Sequence, residues 1–81
     1  MTQQEILSMI QKAIDEVAPG KVSNIDDSNI NTAIRDLGID SVASMEMISV
    51  VEEELETNFP DDDLAGVNTL NDLLKLVQAN I

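Results

Sequence analysis

The sequence has no cysteine, histidine, tryptophan or tyrosine, and Phe59 is its only aromatic residue. Without cysteine, the chain can form neither a disulfide framework nor a thiolate metal site. Most hydrolases place His, Cys or an activating Lys beside the nucleophile, whereas this chain offers carboxylates, hydroxyls and only four basic residues. We therefore expect a protein that is not an enzyme on its own.

Positive charge is also scarce. Sixteen Asp and Glu residues stand against four Lys and Arg, which gives a formal net charge of −12. Such a charge repels nucleic acid and anionic membranes and favours basic protein partners through electrostatic steering. The sequence shows no secretion signal and no apolar run near the roughly 18 residues of a membrane span. These absences predict a cytoplasmic protein that binds positively charged protein surfaces.

Hydrophobic periodicity predicts three longer helices around one core, because 81 residues suffice for a single small domain. The first helix is predicted over about residues 3–17, starting with a capping box formed by Thr2 and Glu5. The second is predicted over about Ser41–Glu56, and the last begins at the N-cap Thr69. The fold class expected from this pattern is all-α, with one domain spanning residues 1–81.

The predicted second helix is apolar on more than half of its circumference, so it must touch several neighbours or leave a patch for a partner. Its expected stripe consists of Val42, Met45, Ile48, Val51 and Leu55, widened by Met47 and Val50. The expected inward face of the last helix consists of Leu70, Leu73, Leu74, Val77 and Ile81. The Glu-rich last turn of the second helix opposes the helix dipole. It is compatible with either a functional surface or a solvated acidic face.

Two shorter stretches connect these helices. Residues 21–36 are rich in Ser, Asn and Asp, and a single helical turn is expected around Asn31–Arg35. Four apolar residues at irregular spacing are expected to hold this segment against the core, namely Val22, Ile25, Ile30 and Ile34. Residues 61–66 can form one acidic helical turn stopped by Gly66. Asp61, Asp63 and Gly66 match the first, third and sixth positions of a calcium-binding loop, but Ala65 replaces a ligand and Asp72 stands where a bidentate Glu is needed. No metal site is predicted.

The stretch from Leu37 to Ser41 is the strongest candidate for a functional site. Gly38 can take a positive φ at little cost, and Asp40 and Ser41 are both residue types that cap helix N-termini. Ser41 should then present its hydroxyl beside free backbone N–H groups and the positive end of the helix dipole, which together favour a phosphate. Taken alone, an Asp-Ser pair is most often only a helix cap.

The surroundings of this pair resemble the acyl carrier protein family over essentially the whole chain. The stretches that carry the resemblance are Asp36-Leu37-Gly38-Ile39-Asp40-Ser41, Met45-Glu46, Glu52-Glu53-Glu54-Leu55, Pro60-Asp61-Asp62 and Thr69-Leu70-Asn71-Asp72-Leu73. The resemblance implies a small four-helix bundle, with three longer helices and a short third one. It also implies a 4′-phosphopantetheine arm, which a phosphopantetheinyl transferase attaches from coenzyme A to the motif serine. That serine is Ser41 here, within a cofactor site that includes Leu37, Gly38 and Asp40.

The family resemblance also implies a docking surface on the second helix. Basic patches of acyl-loading and acyl-modifying enzymes would meet the acids Asp40, Glu46, Glu52 and Glu53, with Val42 and Met45 as apolar candidates. A monomer is expected. Such a protein holds acyl groups as thioesters while its partners catalyse the reactions.

Several residues narrow the type of carrier that the sequence resembles. Ile39 and Asp40 favour the acyl type, because peptidyl carriers usually have a second Gly and often a His before the serine. Three residues depart from the pattern of the family: Val42 stands where Leu is usual, Ala43 stands where an acid is common, and Ala33 stands where a Phe often packs. These departures favour a specialised polyketide-like or lipid-modifying pathway, and a cleft is expected beside the motif serine. The alternative function is that of a small acidic interaction module without a prosthetic group.

Overall fold

Four α-helices and one 3₁₀ helix form the fold, and the computed structural model describes all 81 residues. The helices are α1 (Gln3–Val17), the 3₁₀ helix (Ile34–Leu37), α2 (Ser41–Leu55), α3 (Asp61–Leu64) and α4 (Leu70–Ala79). The all-α prediction is confirmed, and α2 ends one residue before its predicted end. None of the helices has the length and hydropathy that crossing a bilayer requires.

The core consists of sixteen buried residues, all of them apolar. α1 contributes Ile6, Ile10, Ala13 and Ile14, and α4 contributes Leu70, Leu73, Leu74, Leu76 and Val77. Both sets recur at three- and four-residue spacing, which places each on one face of its helix, and α1 packs against both α2 and α4. Ile81 is the exception to the predicted inward face, since α4 ends at Ala79 and the Ile81 side chain is 55% exposed.

The predicted stripe on α2 is wrong at its N-terminal end. Met47 and Val51 are fully buried, whereas Val42 is 66% exposed and Met45 is 70% exposed. The reason is geometric: with 3.6 residues per turn, each step of three residues moves about 60° around the helix axis. A series of such steps from Val51 back to Val42 therefore turns from the core side of α2 to its solvent side.

The end of α2 is shaped by a left-handed residue and a side-chain hydrogen bond. Glu56 has φ +53°, and the Thr57 amide donates to the Glu52 carbonyl at 3.0 Å, as in a helix C-cap that usually employs glycine. The Glu52 carboxylate then accepts a hydrogen bond from the amide of buried Phe59 at 2.8 Å. These contacts direct the chain from α2 towards Pro60, the N-cap of α3.

Replacing Glu56 by glycine is expected to raise the free energy of unfolding by about 1 kcal/mol. A left-handed conformation costs an ordinary L-residue about 1–2 kcal/mol, and removing this carboxylate also relieves its repulsion with the helix C-terminus. Glu56→Gln removes only the charge, so urea unfolding of both variants separates the two contributions. Equal stabilities of the Gly and Gln variants would contradict a conformational cost at this position.

The long segment between α1 and α2 is fixed to the beginning of α4. The Ile34 amide donates to the Asn68 carbonyl at 2.8 Å, and the Asn71 amide donates to the Ile30 carbonyl at 2.9 Å. These bonds hold Ala33 in an extended conformation, so the helical turn predicted at Asn31–Arg35 forms later, over Ile34–Leu37. The segment thereby packs buried Val22 and Ile34 on the core.

The start of α4, to which this segment is fixed, has its own local stabilisation. Thr69 and Asp72 form a capping box, in which the Asp72 carboxylate accepts from the amides of Asn68 and Thr69 at 3.0 and 3.1 Å. The hydrogen bond from Asn68, followed by those from Thr69, lowers the pKa of Asp72. Because the ionised form is the one that caps, this contribution to stability is lost as the pH falls through the lowered pKa.

Candidate functional site

The segment before α2 is buried at Ile39 and exposed at the residues that follow it, Asp40 and Ser41. Gly38 caps the C-terminus of the 3₁₀ helix with φ +88°, and its amide donates to the Arg35 carbonyl at 3.2 Å. A Cβ at Gly38 would strain this left-handed turn and would lie 3.1 Å from Cδ of Lys21. Ile39 follows with only 1% exposure. The chain is thus fixed immediately before Asp40 and Ser41, which are both exposed.

Asp40 is the N-cap of α2, and Ser41 is the first helical residue. The Asp40 carboxylate accepts from the Ala43 amide at 2.8 Å, and the Asp40 carbonyl accepts from the Ser44 amide at 2.8 Å. The amides of Ser41 and Val42 have no hydrogen-bond partner within the protein. Ser41 therefore presents its hydroxyl beside free N–H groups at the positive end of a 15-residue helix.

This position suits an anionic ester on the Ser41 oxygen. Free N–H groups at a helix N-terminus bind phosphate oxygens, and the helix dipole favours their negative charge. The first turn of α2 contains no acidic residue, because Ala43 occupies the place where an acid is common. The residues present at Ser41 therefore fit a phosphodiester.

A cleft of about 220 Å³ adjoins Ser41. It is lined by Ala33, Ile34, Arg35, Ile39, Ser41, Ser44, Val67 and Asn68. Buried Ile34 and Ile39 form its apolar floor, while exposed Arg35, Ser41 and Asn68 lie at its rim. The structure thus contains a cleft beside the motif serine, between the start of α2 and the segment that follows α3, and half of its lining residues are polar.

Comparison with known proteins identifies the family to which this chain belongs. A family model described as "Phosphopantetheine attachment site" matches residues 4–77. The chain belongs to the acyl carrier protein family. Members of this family are carriers rather than enzymes, and their prosthetic group is covalently attached 4′-phosphopantetheine.

Curated relatives agree with the family model. The chain is 33% identical over 82 residues to the acyl carrier protein of Prochlorococcus marinus, covering 98% of this chain and 96% of that protein. It is 33% identical over 78 residues to the meromycolate extension acyl carrier protein of Mycobacterium tuberculosis, covering 96% of this chain but only 66% of that protein. A 43% identical match to the acyl carrier protein of Clostridium perfringens covers 47 residues, or 58% of this chain and 62% of that protein. No solved structure matches the chain.

One solvent-facing side of α2 in this carrier carries most of the candidate docking residues. Val42, Met45, Glu46, Ser49 and Glu53 are all exposed, and their spacing of three, four and seven residues places them on one side of the helix. We call these residues the α2 outer face. Ser49 was not among the residues expected to dock, although the same spacing includes it. The outer face continues from Ser41 towards the C-terminus of α2.

Glu52 differs from the other candidate docking residues of the carrier. Its side chain is half-buried, and its carboxylate holds the amide of Phe59 at 2.8 Å. A partner that engaged this carboxylate would compete with the hydrogen bond that shapes the end of α2. Glu46 and Glu53 have no such bond, so they are the freer charges on this helix.

Two basic residues lie near the motif, and the sequence did not indicate them as site residues. Arg35 lines the cleft beside Ser41. The Lys21 side chain lies over Gly38, with Cδ 3.1 Å and Nζ 3.6 Å from the position that a Cβ would occupy. Lys21 is distant from the motif in sequence and comes close only through the fold, so no local signal could have identified it.

Proposed function

We propose that this protein carries acyl groups as thioesters on a 4′-phosphopantetheine arm esterified to Ser41. The observation that supports this most strongly is the exposed Ser41 hydroxyl, the first hydroxyl of α2, beside amides without partners. When attached, the arm supplies the thiol that a chain without cysteine lacks. Gly38 and Ile39 fix the approach to the helix, and Asp40 orients its first turn.

The proposed unit is one carrier domain over residues 1–81, acting as a monomer. Its partners are a phosphopantetheinyl transferase and the enzymes that load or modify the acyl group. Basic patches on these enzymes complement Asp40, Glu46 and Glu53, while Val42 and Met45 offer exposed apolar contacts. We place the protein in the cytoplasm, where coenzyme A, the donor of the arm, is available.

The proposed pathway is fatty-acid, polyketide or related lipid biosynthesis, with a specialised role favoured. Two observations support the specialised role. One of the relatives is named for meromycolate extension. In addition, Ala33 and Ala43 leave a cleft and an uncharged first turn next to Ser41. Both features alter the surface that a partner enzyme meets beside the arm.

Intact-mass measurement tests the proposed function. The purified chain is incubated with coenzyme A and a broad-specificity phosphopantetheinyl transferase, and we expect a mass increase of one arm. Ser41→Ala should abolish the increase, whereas Ser44→Ala, which removes a hydroxyl one turn later on the same helix, should retain it. An unmodified wild-type chain would instead favour the acidic interaction module.

Asp40→Ala is expected to slow attachment of the arm more than it weakens the fold. Loss of the hydrogen bond to the Ala43 amide should cost about 1 kcal/mol, typical of an N-cap, whereas the transferase must recognise the geometry of Asp40 and Ser41 together. Asp40→Asn, which keeps a capping oxygen, serves as the control for the fold. The rate of mass increase and urea unfolding are measured on the same samples, and an unchanged rate in a folded Asp40→Ala variant would contradict the prediction.

A further inference from the structure

The sulfur atoms of this chain all belong to its four methionines, because the sequence has no cysteine. Histidine, tryptophan and tyrosine are absent as well, so the thioethers are the side chains that oxidants attack most readily. Met47 is fully buried, and Met9 is partly buried against the core. Met1 and Met45 are 60% and 70% exposed. Oxidation should therefore begin at these two residues, since susceptibility follows exposure.

Met45 differs from Met1 in its place on the fold. It lies on the α2 outer face, three residues after Val42 and four after Ser41. Four residues advance a helix by about 6 Å and return to the same side. An enzyme that encloses the Ser41 hydroxyl therefore also meets Met45. Met1, by contrast, precedes the N-cap Thr2 of α1 and belongs to no candidate docking surface.

The surface around Met45 is suited to apolar contact with a partner. Apart from the terminal residues Met1 and Ile81, Val42 and Met45 are the only exposed large apolar side chains. They stand three positions apart on α2, so they are neighbours on its surface. Covering them favours association because apolar surface leaves water. A polar atom placed among them would have to be desolvated, which opposes association unless the partner supplies a hydrogen bond.

We propose that Met45 is a site of reversible oxidation by hydroperoxides, and that its sulfoxide weakens docking of partner enzymes on the α2 outer face. With hydrogen peroxide, the sulfur attacks one oxygen, an S–O bond forms as the O–O bond breaks, and the second oxygen leaves with both hydrogens as water. Sulfur loses two electrons, which the peroxide gains. Methionine sulfoxide reductases reverse the change with electrons from thiols. The effect on docking rests on the proposed function, whereas the oxidation requires no arm.

The chain without its arm has no thiol, so hydrogen peroxide can be tested on its methionines alone. Catalase removes the excess peroxide, and fragment masses then locate the added oxygen atoms. We expect oxidation at Met1 and Met45 before Met9 and Met47. At a chain concentration well below KM, attachment of the arm by the transferase should slow at least about fivefold once Met45 is oxidised, because the sulfoxide is buried without a partner. Circular dichroism should show an unchanged helix content.

Matched variants assign the slower rate to one sulfur atom. Met45→Leu keeps an apolar side chain but cannot form a sulfoxide, so its rate should be the same before and after peroxide treatment. Met1→Leu leaves Met45 in place, so its rate should fall as in the wild-type chain. Dithiothreitol and reductases for both sulfoxide epimers should restore the initial rate of the oxidised wild-type chain.

The outcomes separate this inference from the proposed function. A Met45 side chain that stays unoxidised while Met1 is converted would overturn the oxidation site. A fully oxidised Met45 with an unchanged rate, or an equal loss of rate in Met45→Leu, would overturn the effect on docking. An untreated chain that acquires no arm would overturn the carrier function and the effect on docking together, while the fragment masses would still decide whether Met45 is oxidised.

Discussion

Replacing Met47 by alanine is expected to lower the free energy of unfolding by about 2–5 kcal/mol. The side chain is fully buried, so its truncation removes apolar contacts and leaves a cavity. Since small domains are stabilised by only about 5–15 kcal/mol, this is a large part of the total. The same substitution at Met45, two positions earlier and 70% exposed, should change stability by less than about 0.5 kcal/mol.

Urea unfolding of the two methionine variants measures this difference, and acyl transfer to a partner enzyme gives the opposite pattern. Met45→Ala should weaken transfer because it removes apolar surface from the α2 outer face, although its fold is intact. Met47→Ala is studied without urea, at a temperature where it remains folded. Under these conditions it should accept an acyl group and transfer it at the wild-type rate. Equal losses of stability in the two variants would contradict the orientation of α2.

Charge reversal on the α2 outer face is expected to slow association with partner enzymes tenfold or more. Electrostatic steering accelerates association by about 10–1,000-fold, and Glu46 and Glu53 are exposed carboxylates on the same side of the helix as Val42 and Met45. The combined Glu46→Lys and Glu53→Lys variant should therefore show a reduced association rate with little change in helicity. High salt should reduce the wild-type rate similarly, because the Debye length falls from about 10 Å at 0.1 M to about 3 Å at 1 M.

A matched control distinguishes the α2 outer face from total charge. Glu16→Lys reverses one exposed carboxylate on α1, and its association rate is compared with that of Glu46→Lys alone. The two variants have the same net charge, so the slower rate of Glu46→Lys measures the position of the charge. Equal rates, or a wild-type rate that does not depend on salt, would indicate that Val42 and Met45 dominate an apolar interface.

The features of the fold that the sequence predicted correctly are those governed by local interactions. The predicted capping box at Thr2 and the predicted N-cap at Thr69 are both present, because each needs only residues within one helical turn. α1 shows its buried face at regular spacing, and Gly38 adopts the positive φ that its position suggested. Such signals are complete within a short window of sequence, so they could be recognised without knowledge of the tertiary fold.

The features that could not be predicted depend on contacts between distant segments. α2 is apolar over so much of its surface that periodicity alone did not determine which side faces α1. The 3₁₀ helix lies later than expected because Ile34 bonds to Asn68. The hydrogen bond from the Phe59 amide to the Glu52 carboxylate was also not predicted, because the two residues lie seven positions apart in the sequence. Each difference arises from a partner that lies elsewhere in the chain.

The candidate site shows the same division between local and distant contributions. Ser41 and its cap Asp40 are neighbours in sequence, so their geometry could be inferred from the motif. The cleft beside them is assembled from Arg35, Ser44 and Asn68, which come from three separate segments. The substitution of a smaller residue at Ala33 suggested that a cleft would form, but not that polar groups and a guanidinium would line it.

Fragmentation mass spectrometry of the chain after incubation with coenzyme A and transferase tests most directly whether Ser41 carries the arm. The fragment series between Asp40 and Ser44 distinguishes the two serines of the first helical turn. If Ser41 is the attachment site, every modified molecule bears the arm on Ser41 and none bears it on Ser44. An arm on Ser44 or elsewhere, or an unmodified Ser41 in a folded chain, would contradict the assignment of this protein as a carrier acting through Ser41.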